Sequence, residues 1–144
     1  MKIALGSDHA GYRYKEAIRP FLEGKGHEVI DFGTHSEDPV DYPIFIHPAA
    51  AAVANGVADR AIVLGKSGNG EAIVANRVKG VRCALCWNEE SATLGRHHND
   101  ANCIAIGQDM VDLDLALKMV DIWLTEPFDG GRHLQRVRLI DEVS

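Results

Sequence analysis

Five apolar runs of strand length recur along this chain, and segments with helical periodicity fill the spaces between them. The runs are "KIALGS" (2–7), "HEVIDFG" (27–33), "RAIVLG" (60–65), "VRCALCW" (81–87) and "NCIAIG" (102–107). "RAIVLG" lacks the apolar–polar alternation of a half-exposed strand, so both of its faces are expected to be covered, as in a parallel sheet. Between the first two runs, Ala10, Tyr14, Ala17, Ile18, Phe21 and Leu22 fall on one helical face that Gly24 and Gly26 end. Pro43 suits a helix start, Pro48 predicts a kink in that helix, and Gly56 ends it. A helix follows the glycine-rich segment at 65–70 and runs through Arg77. A short one is expected over 88–97. Leu113, Ala116, Leu117, Val120, Trp123 and Leu124 form a strong apolar stripe that Pro127 stops, and a last helix follows Gly130-Gly131. Parallel strands need crossover connections, and a helix is the usual one. The pattern therefore predicts one α/β domain over 1–144, Rossmann-like and doubly wound, with a five-stranded parallel sheet flanked by helices.

That topology restricts where a ligand binds. In open parallel sheets the site lies beyond the carboxyl ends of the strands. The candidates are thus Ser7-Asp8-His9, the segment Gly65 to Glu71, and Gly107-Gln108-Asp109.

Charge and composition exclude several classes. The formal net charge of −6 argues against a nucleic-acid surface. The Ala-rich run at 48–54 is too short to span a bilayer. Met1-Lys2-Ile3 leads directly into the first strand without a signal-peptide pattern, which gives a cytoplasmic expectation. "CALC" has the spacing of a redox pair, but Cys83 and Cys86 sit inside an apolar run and read as buried strand thiols. With Cys103 they lack a second Cys or His pair that would complete a zinc pattern. No metal or cofactor is expected.

The segment "GKSGNGEAIVAN" (65–76) carries the chemistry. A nucleotide-binding P-loop would need a glycine at position 60, which is arginine; a dinucleotide fingerprint would need one at 73, which is isoleucine. What survives is a glycine loop opening a helix, whose N–H groups and dipole favour an anion. That anion need not be phosphate. An enediolate, formed when a proton leaves the carbon beside a carbonyl, would suit the same donors. Glu71 then has two readings: a proton-abstracting carboxylate at the rim of an oxyanion hole, or a first-turn glutamate favoured by the helix dipole.

"GSDHAG" (6–11), "VDYP" (40–43), the glycine loop ending in "AN" (75–76), "HHNDAN" (97–102) and "PFDGGRHLQR" (127–136) occur in this order. Together they closely resemble type B ribose-5-phosphate isomerases and the wider group that includes galactose-6-phosphate isomerase, over essentially the whole chain. The resemblance implies a metal-free aldose–ketose isomerase. It would interconvert ribose 5-phosphate and ribulose 5-phosphate through a cis-enediolate, with enzyme-assisted ring opening. It implies a homodimer, sometimes paired into tetramers, with sites shared between subunits and the C-terminal helix reaching the partner. Asp8 and His9 would contact substrate and assist ring opening, and Tyr42 would line the pocket. Ser67, Gly68, Asn69 and Gly70 would stabilise the enediolate. His98 would move the ring-oxygen proton with Asn99 beside it, and Arg132 and Arg136 would bind the phosphate. The family has two versions of the base, a cysteine directly after the third strand or a glutamate just past the loop. Gly65 and Glu71 match the second.

Two positions depart from the family pattern. Lys66 stands where glycine is usual, and Asp109 stands where a phosphate-binding arginine is usual. An isomerase of the same family acting on another aldose, including an unphosphorylated sugar, is the alternative these positions raise.

Overall fold

In the computed structural model, which describes residues 1–143, the chain forms five strands and six helices in strict alternation until the last two helices. The strands are β1 (Lys2–Ser7), β2 (Glu28–Asp31), β3 (Arg60–Gly65), β4 (Cys83–Leu85) and β5 (Cys103–Gly107). The helices are α1 (Tyr12–Gly24), α2 (Tyr42–Ala54), α3 (Asn69–Asn76), α4 (Glu89–Asn99), α5 (Leu113–Thr125) and α6 (Arg132–Glu142). All strand pairs are parallel, in the order β2-β1-β3-β5-β4.

The sheet carries a separate core on each face, set by the two-residue period of the strands. On one face Ile3, Leu5, Ile62, Leu64, Ile104 and Ile106 pack against α1, α4 and α5, around the fully buried Trp123. On the other, Ala4, Ala61, Val63 and Ala105 meet Ile46, Ala49 and Ala50 of α2 and Ala75 of α3. The small side chains there explain the Ala-rich run at 48–54. They let α2 approach so closely that a Cβ on Gly6 would stand 2.6 Å from the Phe45 carbonyl oxygen.

Both edge strands are shorter than their apolar runs. The run at 27–33 yields four strand residues and the run at 81–87 three. Each edge strand has one neighbour only, so its ladder ends where that neighbour's register ends. Helix α4 is longer than expected, because a capping box at Asn88 and Ser91 starts it and Asp100, in the left-handed region at φ 46°, ends it. Pro48 lies inside α2, which continues on both sides of it; the bond that proline forgoes would have gone to Ile44, in the first turn.

A buried lysine ties α1 to β2. Lys15 is fully buried, and its Nζ donates to Asp31 at 2.6 Å and to Glu16 at 3.1 Å. The other Asp31 oxygen accepts from the Gly33 N–H, shaping the turn that leaves the sheet. Removing one partner of a buried pair leaves an uncompensated charge, whereas replacing both partners by uncharged residues is often neutral. Asp31→Ala is therefore expected to lower stability by about 3 kcal/mol. The double variant Lys15→Met with Asp31→Asn should cost far less, as urea denaturation at one fixed protein concentration would show; equal losses would contradict this.

Candidate active site

The chain turns one way from β1 to β2 and the other way from β3 onward, so a crevice opens beyond the carboxyl ends of β1 and β3. Two loops meet there. After β1, the Asp8 carboxylate accepts from the N–H groups of Ala10 (2.9 Å) and Gly11 (3.1 Å), fixing the turn into α1. The Asp8 N–H donates to the Leu64 carbonyl, and a Cβ on Gly11 would stand 2.5 Å from the Leu64 carbonyl carbon, so glycine permits the two loops to touch. His9 reaches the other way: its Nδ1 accepts from the Val40 N–H at 3.1 Å, which holds the 33–41 loop over the crevice. Ser7, just before Asp8, carries the one buried side-chain hydroxyl without a partner among the described residues.

After β3, the glycine loop closes on Glu71. Gly68 is left-handed (φ 84°) and caps α3, and the Ser67 hydroxyl accepts from the Asn69 N–H at 3.2 Å. A side chain at Gly65 would overlap the Glu71 carboxylate itself, so that carboxylate fills the space directly beyond the third strand. At Gly70 a Cβ would lie 2.6 Å from the Tyr42 ring, which places Tyr42 against the loop. Glu71 is buried, with 3% of its surface exposed. Loss of solvent raises its pKa above the ordinary carboxylate range, its own backbone N–H pulls it back, the Asp8 charge adds to the rise, and the Gly68 N–H opposes it. A carboxylate so placed gives up its proton less readily than an exposed one, and it stands at the N-terminus of α3, whose dipole favours an anion.

The remaining candidates lie elsewhere in the chain. Helix α4 starts after β4 and runs back to the amino end of the sheet. There Arg82, just before β4, donates to the carbonyls of Asn99 and Asp100, and Ala101 precedes β5. His98 and Asn99 are thus separated from Glu71 by the length of the sheet, roughly 16 Å for five residues. Arg132 and Arg136 sit on α6 at that same end, both exposed and without an ion pair among the described residues. The Asp129 N–H donates to the His97 carbonyl, and Arg82 holds Asp141 with a bond to each carboxylate oxygen, so α6 docks beside α4. One chain brings together Asp8, His9, Tyr42, Ser67, Gly68, Asn69, Gly70 and Glu71, and gathers His98, Asn99, Arg132 and Arg136 into a second cluster.

Helix α6 buries little apolar surface. It buries Val137 alone, and Leu134, Leu139 and Ile140 are exposed.

The remaining quoted positions hold structure. Asn76 exchanges two hydrogen bonds with Cys83, and Asn102 bonds Arg82 and Gly80. The three cysteines are free; burial pushes Cys86 up to about 12, and Cys83 is also raised, by its bond to Cys103 first and burial second. Cys83 and Cys86 are far from thiolates.

Sequence reasoning gave no role to His133, whose ring stacks on His98 (centroids 4.4 Å apart, planes at 13°). Loss of solvent lowers its pKa, with the charges of His98, Arg132 and Arg136 adding to this against Asp129. Nor did it give a site role to Arg13 or to Tyr14, read only as part of a helix face; with Gln108, Asp109 and Leu113 they line a cavity of about 370 Å³ beside the crevice. Both pairings join separate elements, and no local pattern announces them.

The ribose/galactose isomerase family profile matches residues 3–140. The chain belongs to that family. It is 44% identical over 142 residues to ribose-5-phosphate isomerase B of Escherichia coli, covering 99% of this chain and 95% of that one. It superposes on ribose-5-phosphate isomerase B of Clostridium thermocellum with a TM-score of 0.97 at 52% identity, covering 99% and 97% of the two chains. The enzyme of Mycoplasma genitalium, solved with bound ribulose-5-phosphate, superposes with a TM-score of 0.94 at 35% identity, covering 99% and 95%. This chain is an isomerase, and no helix among its described residues is long and apolar enough to cross a membrane.

Glu71 links stability to pH in a direction opposite to a salt-bridged carboxylate. Its folded pKa is raised, so the native state holds the proton at pH values where the unfolded chain has lost it. Stability should fall as pH climbs from the ordinary carboxylate range through the raised value. Glu71→Gln lacks this dependence. Its advantage in denaturation midpoint over the parent should grow across that window and level off above it; a constant difference would contradict the burial argument.

Proposed function

We infer that this enzyme interconverts ribose 5-phosphate and ribulose 5-phosphate, with Glu71 moving the proton between C1 and C2. One observation carries the reading: a buried carboxylate with a raised pKa fills the space beyond β3, at the N-terminus of a helix whose dipole favours an anion. The relatives' activity supplies the substrate. Asp8 keeps Glu71 basic and shapes the first loop, while His9 and Tyr42 line the crevice. Ser67, Gly68, Asn69 and Gly70 hold the enediolate oxygen. No metal or cofactor takes part in this reading.

Ring opening and phosphate binding require the second cluster. His98 and Asn99 serve the ring oxygen, and Arg132 and Arg136 clamp the phosphate from one face of α6, four residues apart. Because roughly 16 Å of sheet separates them from Glu71, the cluster of one subunit completes the crevice of its partner. The protein then works as a homodimer or a pair of dimers, with α6 crossing between subunits. Free, unpaired thiols suit a cytoplasmic place.

Glu71→Gln should lower exchange of the substrate C–H proton with solvent by about 10³-fold or more. His98→Asn should be similarly impaired in opening the sugar ring. Mixed and reassociated, the two inactive chains should regain about a quarter of parental turnover, since half the dimers are hybrids with one intact site each. No recovery, with hybrids confirmed by mass, would overturn the shared site.

A second reading concerns the sugar. Asp109 and Lys66 lie on adjacent loops, the Asp109 N–H donating to the Lys66 carbonyl at 3.1 Å, and both side chains are exposed. An anion at 109 opposes a phosphate on that side, whereas Lys66 and Arg13 offer cations nearby. We expect ribose 5-phosphate to exceed free ribose and allose in kcat/KM by at least about 10²-fold, as one strong phosphate clamp provides. Comparable values would shift the reading to an isomerase of unphosphorylated aldoses.

A further inference from the structure

Two large apolar side chains stand exposed at the carboxyl end of the sheet, beside the glycine loop. Trp87, just past β4, is 57% exposed, and Met110, past β5, is 63% exposed. With Leu85, Cys86, Ser67 and Asn69 they line a cavity of about 110 Å³. Its lining touches the loop: a Cβ on Gly68 would stand 2.7 Å from Leu85 Cδ1. Packing does not account for the exposure of Trp87. The residue precedes the Asn88 cap, a position from which an apolar side chain ordinarily packs onto the fourth residue of the helix. That residue is Ala92, a small and wholly buried side chain, and more than half of Trp87 stays in solvent. The Trp87 backbone is nonetheless held, its N–H donating to Ser91 Oγ at 3.1 Å within the capping cluster. An indole held in place and left bare is a platform for something else to cover.

We propose that Trp87 and Met110 form an apolar wall that receives the carbon skeleton of the substrate sugar and keeps water from the Ser67–Gly70 loop. The proposal rests on that loop being the one that holds the enediolate. A sugar has two kinds of surface. Its hydroxyls need polar partners, which Ser67 and Asn69 offer, whereas its C–H groups carry slight positive charge and suit the negative face of an indole. The cavity joins both kinds of lining, so a sugar seated on the β4 side of the loop lies against Trp87. Met110, unbranched and polarizable, adapts the wall to the shape of the sugar. Water excluded from this side also strengthens each hydrogen bond to the developing anion.

The chain holds two tryptophans, and Trp123 is fully buried, so a ligand at the surface reports through Trp87. Titration with ribitol 5-phosphate, which has no carbonyl and cannot turn over, should move the emission to shorter wavelength. The response should saturate at the concentrations that inhibit the isomerase, and Trp87→Phe should lose it. Trp87→Ala should lower kcat/KM for ribose 5-phosphate by about tenfold, and Trp87→Phe should recover most of the loss, because the aromatic face is what is needed. Both variants should keep the parental urea midpoint, since the side chain is exposed. Full inhibition with no change in emission, or parental kcat/KM in Trp87→Ala, would overturn the wall. So would emission that ignores the ligand and moves only on dilution of the protein, because that assigns Trp87 to a contact between subunits. Glu71→Gln separates this proposal from the reading it rests on. An inactive variant that keeps the Trp87 response supports both, whereas an active one that keeps it removes the role of Glu71 and leaves the wall standing.

Discussion

The site depends on a single packing relation, the Glu71 carboxylate occupying the volume directly beyond Gly65. It requires glycine at the end of β3, because any Cβ there would collide with the carboxylate. It requires α3 to begin at a left-handed Gly68, so that Glu71 falls in the first turn and its side chain folds back towards the strand. It requires Gly107 on the neighbouring strand, where a Cβ would strike the Ser67 backbone and push the loop away. Three glycines on two strands and a loop thus serve one acidic side chain. The burial they impose raises its pKa, and the helix N-terminus it stands on supplies donors for the anion it would create. Removing solvent costs stability whenever Glu71 is charged, a cost expected where function sets the residue.

Much of this was legible in the sequence, for physical reasons that differ between elements. Central strands such as "RAIVLG" are buried on both faces and show it as unbroken apolar runs, and β3 spans the residues expected. Edge strands are misjudged, because an apolar run says that a segment is covered and not that its backbone is paired. Trp87 ends such a run yet is exposed. The glycine loop excluded nucleotide motifs by spacing alone. It left Glu71 with two readings, and its burial is what favours the proposed proton carrier. A first-turn glutamate that merely complements a dipole has no reason to lie 97% out of solvent against a neighbouring strand.

The pairs that the sequence concealed share one property. Lys15 with Asp31 and His98 with His133 each join two elements whose relative placement no local pattern encodes. Lys15 sits on the apolar side of α1, where a charged residue contradicts the stripe around it. That contradiction was the available signal: a lysine inside an apolar face needs an acidic partner across the core.

The separation of the two clusters follows from chain reversal in α/β units. A helix that starts beyond the carboxyl end of a strand must return to the amino end before the next strand begins, so residues at opposite ends of such helices cannot meet within one chain. Glu71 opens α3, whereas His98 and Asn99 close α4. The proposed reaction uses both, so the proposed dimer would supply them from two copies, with α6 as the element suited to reach across. It buries a single residue, exposes Leu134, Leu139 and Ile140, and carries two arginines without acidic partners among the described residues. An apolar face and unpaired cations on one weakly held helix are costly features in an isolated chain. In the proposed dimer they would become useful together, the partner covering the first and the substrate's phosphate neutralising the second.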